Sequence, residues 1–185
     1  MRVHFIYNEM IIMEFSILFL LQSIRTTWLD SFMLFITNMA GDLGQLWVLV
    51  GILLLVYKQT RKLGFGILLS YAIVYCSIQY GLKDLIARPR PCHLNQTIEM
   101  LTKCSASFSC PSTHTCWAFA SATCIYLFNK KAGKLVFVVA SLIAFSRMYL
   151  FVHFPTDVLC GLVLGIAIGF ISHVIMNFVD KLINK

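Results

Sequence analysis

Charged residues are scarce in this sequence, and their scarcity indicates the class of protein. Asp, Glu, Lys and Arg together make up 12% of the 185 residues, whereas hydrophobic residues make up 59%. An ordinary soluble domain carries about 25% charged residues. Long apolar runs with so few charges are typical of a chain whose solvent is the lipid bilayer. We therefore expect an integral membrane protein rather than a soluble domain.

Other features are missing as well, and each absence excludes a class of protein or site. No basic and aromatic platform accompanies the net charge of +7, so nucleic-acid binding is not expected. No spacing of Cys and His resembles a zinc site. Glu9 and Glu14 interrupt the apolar run near the N-terminus, so we do not expect a cleaved signal peptide. The sequence contains no internal repeat and no low-complexity segment.

The seven cysteines fall into two groups. Four lie in or beside apolar runs, where we expect them to pack as small apolar side chains: Cys76, Cys116, Cys124 and Cys160. The other three, Cys92, Cys104 and Cys110, share one polar loop. Two of these can form a disulfide if the loop faces an oxidising compartment, but the sequence does not determine which two.

The apolar runs predict an all-α, polytopic transmembrane helix bundle with five to six spans, because only helices satisfy their own backbone groups in lipid. Residues 1–42 are predicted to form short or interfacial helices, of which 10–24 is either a thin span or an interfacial helix. Residues 43–185 are predicted to form the main membrane domain. Its spans are expected at roughly 43–57, 63–85, 113–129, 134–152 and 156–178.

The positions of the loop cations assign the two sides of the membrane. Lysines and arginines cluster at 58–62 and at 130–134, and the positive-inside rule places these loops and the C-terminus in the cytoplasm. The loop 86–112 and the turn 153–156 then lie together at the opposite surface. Eight polar residues thus converge at one membrane level: Lys83, Arg88, Arg90, Ser112, His114, Arg147, His153 and Asp157.

This convergence predicts an anion site. Lys83, Arg90 and Arg147 are three cations near helix ends, and phosphate is the common ligand of such a group. Taken singly, each could instead extend to the lipid headgroups. Pro111 and Ser112 are good helix-start residues, and the free backbone N–H groups of Thr113 and His114 would form a further anion cradle, although Ser112 could also be an ordinary N-cap.

His153 and Asp157 lie four residues apart around Pro155, which suits the first turn of a helix. The Asp157 carboxylate could accept a hydrogen bond from His153 Nδ1–H and leave Nε2 free as a nucleophile. A purely structural His–Asp pair is the alternative. Ionisable groups at membrane depth favour a functional role.

Three motifs, at residues 83–91, 111–114 and 146–157, carry these residues. The first is KDLIARPRP, a lysine followed after six residues by Arg-Pro, a spacing that selects Arg90 and leaves Arg88 secondary. The second is PSTH, and the third is SRMYLFVHFPTD. In order and spacing they resemble the signature of the type-2 phosphatidic acid phosphatase superfamily of membrane lipid phosphatases.

The second motif departs from this family in one residue. Thr113 stands where the family usually has glycine. Threonine fits poorly at positive φ. The change is mild if the backbone at this position is helical, and it alters the phosphate pocket if the backbone is left-handed.

The resemblance implies a role for each site residue. His153 would attack phosphorus and form a phosphohistidine, Asp157 would orient it, and His114 would protonate the leaving oxygen and then activate water. The phosphoryl oxygens would be held by five residues: Lys83, Arg90, Ser112, Thr113 and Arg147. Neither a metal ion nor another cofactor is expected, because the cations stabilise the charge.

The motifs leave the substrate open. Undecaprenyl diphosphate is the favoured lipid, and phosphatidylglycerophosphate and phosphatidate are alternatives. Two other functions remain as alternatives. One is a phosphotransferase, and the other is a non-catalytic lipid-binding or transport protein with a degraded site. The expected location is a bacterial inner or plasma membrane, crossed several times, with the site facing outward. The oligomeric state cannot be read from the sequence.

Overall fold

The computed structural model describes residues 2–41 and 44–183, and this part of the chain contains helices and no strand. The predicted all-α class is therefore confirmed. The predicted boundary at residues 42–43 lies outside the described residues. The helices are α1 Arg2–Ser23, α2 Thr27–Ala40, α3 Gln45–Val56, α4 Arg61–Val74, a π-helical segment Tyr75–Leu82, α5 Lys83–Ile86, α6 Pro91–Leu94, α7 Thr113–Phe128, α8 Lys130–Tyr149 and α9 Pro155–Ile183.

The membrane-spanning character follows from helix length and composition. Among the described residues, three helical stretches are long and apolar enough to cross a bilayer: Arg61–Leu94, Lys130–Tyr149 and Pro155–Leu182. A fourth results if Glu9–Ser23 and Thr27–Ala40, which meet at a bend of 118°, form one broken span. The protein is thus a multi-pass membrane protein, while the total of five to six spans stays a prediction. Helix α3, predicted at 43–57, has 12 residues and is only about 18 Å long.

The buried centre of the bundle is α7, and α9 packs closely along it. A methyl group added to Gly161, Gly165 or Gly169 would lie only 2.5–2.6 Å from a backbone carbonyl oxygen of α7 or its cap. Small residues at this four-residue spacing allow two membrane helices to approach closely. The N–H of Ser112 also donates to the carbonyl of Asp157 at 3.0 Å, which holds the second and third motifs side by side.

The outer surface of the bundle is apolar. Large hydrophobic side chains are exposed along α3 and α9, including Leu49, Leu53, Val163 and Phe170. Such a surface suits contact with lipid tails, whereas polar side chains concentrate at the helix ends described below.

Helices α1 and α2 pack against the end of α8 and the turn that follows it. The ring of Phe15 meets that of Phe154 edge-on at 5.2 Å. Gln22 Nε2 donates to the carbonyl of Tyr149 at 2.8 Å, and the Tyr149 hydroxyl donates to Asp30 at 2.6 Å. The N-terminal helices therefore touch the segment that carries the third motif.

Candidate active site

A cavity of about 480 Å³ opens where the three motifs meet. Six of the predicted site residues line it: Lys83, Arg90, Thr113, His114, Arg147 and His153. The other two, Ser112 and Asp157, are fully buried behind its wall. None of the described residues that line the cavity is acidic. Because its cations repel one another, binding of an anion stabilises this arrangement.

His153 lies in the tight turn between α8 and α9. Phe151, in the same turn, has a φ of 59°, a left-handed conformation that is strained for a bulky residue. The N–H groups of Val152 and His153 both donate to the carbonyl of Arg147 at 3.2 Å. This geometry ends α8 earlier than the predicted 152 and fixes the imidazole, which is 1% exposed, against the cavity.

The contacts of the His153 ring define its tautomer. Nε2 lies 3.1 Å from Arg90 Nη1, and a guanidinium only donates, so Nε2 carries the lone pair and Nδ1 carries the hydrogen. Nδ1 is 3.4 Å from Ser109 Oγ and 3.7 Å from Asp157 Oδ2. Ser109 Oγ in turn donates to Asp157 Oδ2. Thus the ring is joined to the carboxylate through the serine, and its lone pair accepts from Arg90 at the cavity wall.

Arg90 is fixed by the polar loop before α7. Its Nε donates to the Ser107 carbonyl at 2.7 Å, its Nη2 to Ser107 Oγ at 3.0 Å, and its Nη1 to the Val152 carbonyl at 3.0 Å. Lys83 Nζ lies 3.4 Å from the same Ser107 hydroxyl. Arg90 and Lys83 are each 3% exposed. Buried cations held by neutral oxygens keep their charge available for an anionic ligand.

Thr113 is accommodated by a helical backbone. It is the first residue of α7, and the described non-glycine residues with positive φ are Ala87 and Phe151. Its hydroxyl donates to Gln79 Oε1, in the π-helical segment, at 3.2 Å. The backbone at Thr113 is thus helical and not left-handed, which is the case in which threonine in place of glycine is a mild change.

The residues of this site lie in a part of the sequence that matches a known protein family. A sequence model of the PAP2 superfamily matches residues 59–181, which include all three motifs. This chain belongs to the PAP2 superfamily. The resemblance inferred from the motifs is confirmed, and the protein is a membrane lipid phosphatase.

Similar proteins of the PAP2 superfamily carry names of lipid phosphatases. Undecaprenyl-diphosphatase BcrC of Bacillus subtilis is 35% identical over 161 residues, which cover 84% of this chain and 81% of the relative. Phosphatidylglycerophosphatase B of the same organism is 33% identical over 165 residues, which cover 80% and 75%.

Solved PAP2 structures have the same fold. The phosphatidylglycerolphosphate phosphatase of Bacillus subtilis superposes with a TM-score of 0.75 at 30% identity, covering 94% of this chain and 88% of that one. LpxE of Aquifex aeolicus superposes with a TM-score of 0.70 at 28% identity, covering 85% and 93%.

Some residues of this PAP2 site were not found from the sequence. Ser107 and Ser109 lie in a polar loop whose serines follow no pattern, so nothing distinguished them.

Among the described residues, Cys92, His93 and Cys104 come close enough to hold a metal ion, but the two sulfurs are bonded to each other and are not thiolate ligands.

The electrostatic environment keeps His153 neutral. Burial, together with the nearby cations Arg90 and Arg147, lowers the pKa of His153 to about 3, although the hydrogen bond and charge of Asp157 act in the opposite direction. A neutral imidazole at physiological pH has the lone pair that a nucleophile needs.

This pKa predicts how stability changes with pH. Between pH 6.5 and about 3 the unfolded chain binds a proton at His153 that the folded protein does not bind, so the free energy of unfolding falls as the pH is lowered through this window. The contribution of this residue approaches about 1.4 kcal/mol per pH unit. Thermal unfolding in detergent from pH 7 to 5 should therefore be less pH-dependent in His153→Ala than in the wild type. Equal pH dependence of the two proteins would contradict the buried, neutral His153.

Proposed function

We propose that the protein hydrolyses undecaprenyl diphosphate to undecaprenyl phosphate through a phosphohistidine on His153, without a metal ion. The observation that carries this proposal is His153 Nε2, a neutral imidazole nitrogen that accepts from Arg90 at the wall of a cationic cavity lined by no described acidic residue. A phosphate group entering that cavity would meet a nucleophile and its counter-charges together. Relatives named as undecaprenyl-diphosphatases support the choice of lipid.

In the first step, His153 Nε2 attacks the terminal phosphorus while the bond from phosphorus to the bridging oxygen breaks. Undecaprenyl phosphate leaves, and His114 supplies a proton to it as needed. The phosphorylated ring is positively charged because Nδ1 keeps its hydrogen. The buried carboxylate of Asp157, connected through Ser109, stabilises this charge.

In the second step, His114 removes a proton from water, and the water oxygen attacks the phosphohistidine. The N–P bond breaks, inorganic phosphate is released, and neutral His153 is restored. Lys83, Arg90 and Arg147 hold the phosphoryl oxygens through both steps, as charge moves between the entering and leaving groups.

Phosphatidylglycerophosphate is the second candidate substrate. It is favoured by one curated relative and by one similar structure, both named for that activity. Phosphatidate and a phosphotransferase reaction are the remaining enzymatic alternatives, and a lipid-binding or transport role is the non-enzymatic one.

Phosphate release by the purified protein in detergent, with EDTA present, decides among these candidates. Undecaprenyl diphosphate, phosphatidylglycerophosphate and phosphatidate are supplied in parallel, with and without an acceptor alcohol. We expect the fastest release from undecaprenyl diphosphate and no effect of EDTA. Loss of activity in EDTA would contradict the metal-free mechanism, and no release from any lipid would favour binding or transport.

We also propose that the site faces outward. The polar loop that supplies Ser107 and Ser109 contains a disulfide between Cys92 and Cys104, one of the pairings that the sequence left open. Disulfides persist in oxidising compartments and are rare in the cytosol. A cytoplasmic location of this loop would leave the bond reduced.

Thiol mapping tests this orientation. Cells are treated with an alkylating agent, membranes are isolated, and peptides are analysed without reduction. We expect Cys92 and Cys104 to be recovered as one cross-linked peptide, and Cys110, in the same loop, to be recovered outside any disulfide. Recovery of both Cys92 and Cys104 as alkylated thiols would contradict the outward orientation.

A further inference from the structure

Helix α1 carries a buried carboxylate at the level of the catalytic turn. Glu14 is 3% exposed, although it is an acidic residue in a largely apolar helix. It also lies outside residues 59–181, the part that matches the family. A buried carboxylate is costly unless it is paired and hydrogen-bonded, so its partners indicate why it is there.

The partners of Glu14 are Arg88 and Thr156. Glu14 Oε1 accepts hydrogen bonds from the Thr156 N–H at 3.1 Å and from the Thr156 hydroxyl at 2.5 Å. Glu14 Oε2 accepts from Arg88 Nη2. These contacts tie α1 to the first turn of α9, immediately beside Asp157.

Arg88 joins this glutamate to the aspartate of the third motif. Its Nη1 donates to Asp157 Oδ1 at 2.6 Å and to the Thr156 hydroxyl at 2.7 Å, and its guanidinium lies over the Phe154 ring at 4.2 Å. The side chains of Arg88, Glu14 and Asp157 are 10%, 5% and 0% exposed. The guanidinium therefore bridges two buried carboxylates.

Asp157 is held on both of its oxygens. Oδ1 binds Arg88, while Oδ2 accepts from Ser109 Oγ and from the Phe154 N–H at 2.8 Å. Oδ2 is the oxygen that lies 3.7 Å from His153 Nδ1. A continuous series of contacts thus runs from α1 to the imidazole.

The net charge of these three groups is opposite to the charge that His153 gains in the proposed reaction. Arg88 and Asp157 alone would form a neutral pair, which would weaken the attraction of Asp157 for a positively charged ring. Glu14 shares the charge of Arg88, so the three groups together carry one negative charge. That charge matches the single positive charge that His153 gains when it is phosphorylated.

We propose that Glu14 and Arg88 are positioning residues for His153: through Asp157 they hold the imidazole and supply the net negative charge that stabilises its phosphorylated form. The inference rests on the proposed function, since it takes His153 as the nucleophile. It makes the N-terminal helix part of the active site. Glu14 acts from behind the cavity wall and touches no substrate.

Steady-state kinetics of Glu14→Gln test this role, with Glu9→Gln as the matched control. Glu9 lies on the same helix but is exposed, and its replacement removes the same charge. We expect Glu14→Gln to lower kcat about 10- to 100-fold, the range seen when an outer residue that orients a metal-binding histidine is lost in metalloenzymes. KM for undecaprenyl diphosphate should stay within about twofold, because Glu14 does not line the cavity. The control should keep the wild-type kcat.

A second variant tests whether the geometry of Arg88 matters apart from its positive charge. Arg88→Lys keeps the cation but cannot bridge both carboxylates as the guanidinium fork does. We expect it to lower kcat as well, again without a large change in KM. Both kcat values are normalised to the folded protein that elutes as a single peak in size-exclusion chromatography.

The outcomes are distinguishable. If both variants keep the wild-type kcat per folded molecule, or if they raise KM with kcat unchanged, the inference is overturned while the proposed function stands. If the wild-type protein releases no phosphate from any of the three lipids, the proposed function fails and the inference fails with it.

Discussion

Replacing His153 with alanine is expected to reduce phosphate release on the order of 10⁴-fold or more, because His153 is the one nucleophile of the proposed mechanism. The remaining cations can still bind the phosphate group, so binding of the lipid should be weakened much less than turnover. Initial rates of phosphate release in detergent micelles measure the first effect, and equilibrium binding of undecaprenyl diphosphate measures the second.

His93→Ala is the matched control for this experiment. His93 is a histidine of the polar loop at the same end of the bundle, but it is exposed. We expect its replacement to leave the rate within about twofold of the wild type, the usual scale for surface substitutions. A His153→Ala protein that inserts, purifies and keeps the wild-type rate would rule out the proposed mechanism.

The second large effect is expected for Arg90→Lys. Lysine keeps the positive charge but loses the planar fork, and with it the two bonds to Ser107 and the contact with His153 Nε2. Loss of one such preorganised donor costs about 10²- to 10³-fold in rate in other enzymes. We therefore expect kcat/KM for undecaprenyl diphosphate to fall by about this factor.

Arg61→Lys provides the comparison for Arg90→Lys. Arg61 lies at the start of α4, at the opposite end of the bundle, where its Nε donates to the Leu55 carbonyl at 3.2 Å in an exposed position. The same chemical change there should leave kcat/KM within about twofold. Equal, small effects of the two substitutions would show that Arg90 acts only as a charge, and that its geometry does not matter.

The residues of the three motifs could be predicted from the sequence for a physical reason. Lys83, His114 and His153 lie at the ends of successive apolar runs, and helices that cross a bilayer bring such ends to a common level. Hydropathy and loop charge were therefore enough to group them. Helix ends were predicted less well. Helix α8 was predicted to reach residue 152 but ends at Tyr149, because the left-handed backbone of Phe151 cannot continue the helix.

The residues behind the cavity could not be grouped in this way. Ser109 reaches Asp157 through a loop whose path depends on tertiary packing, and no periodicity indicates it. Glu14 did carry a signal, since an ionised residue within an apolar helix is a functional candidate by default. Taken alone, however, it did not identify its partners, which are Arg88 and Thr156, 74 and 142 residues away.

The close packing of α7 and α9 was likewise missed. Gly161, Gly165 and Gly169 follow a four-residue spacing that permits close helix contact, but the sequence does not say which helix they face. In the structure they face α7, and this contact sets Ser112 against Asp157.

Trapping the phosphorylated enzyme is the sharpest test of the phosphohistidine on His153. The leaving undecaprenyl phosphate is a weak base, so the first step needs little help from His114, whereas the attack of water depends on it. His114→Ala, mixed with undecaprenyl diphosphate that is ³²P-labelled in the terminal phosphate and then quenched in alkali, should carry label on the peptide that contains His153. The double variant His114→Ala/His153→Ala should carry none. If neither the wild type nor His114→Ala carries protein-bound label while the wild type releases phosphate, the phosphohistidine mechanism is wrong.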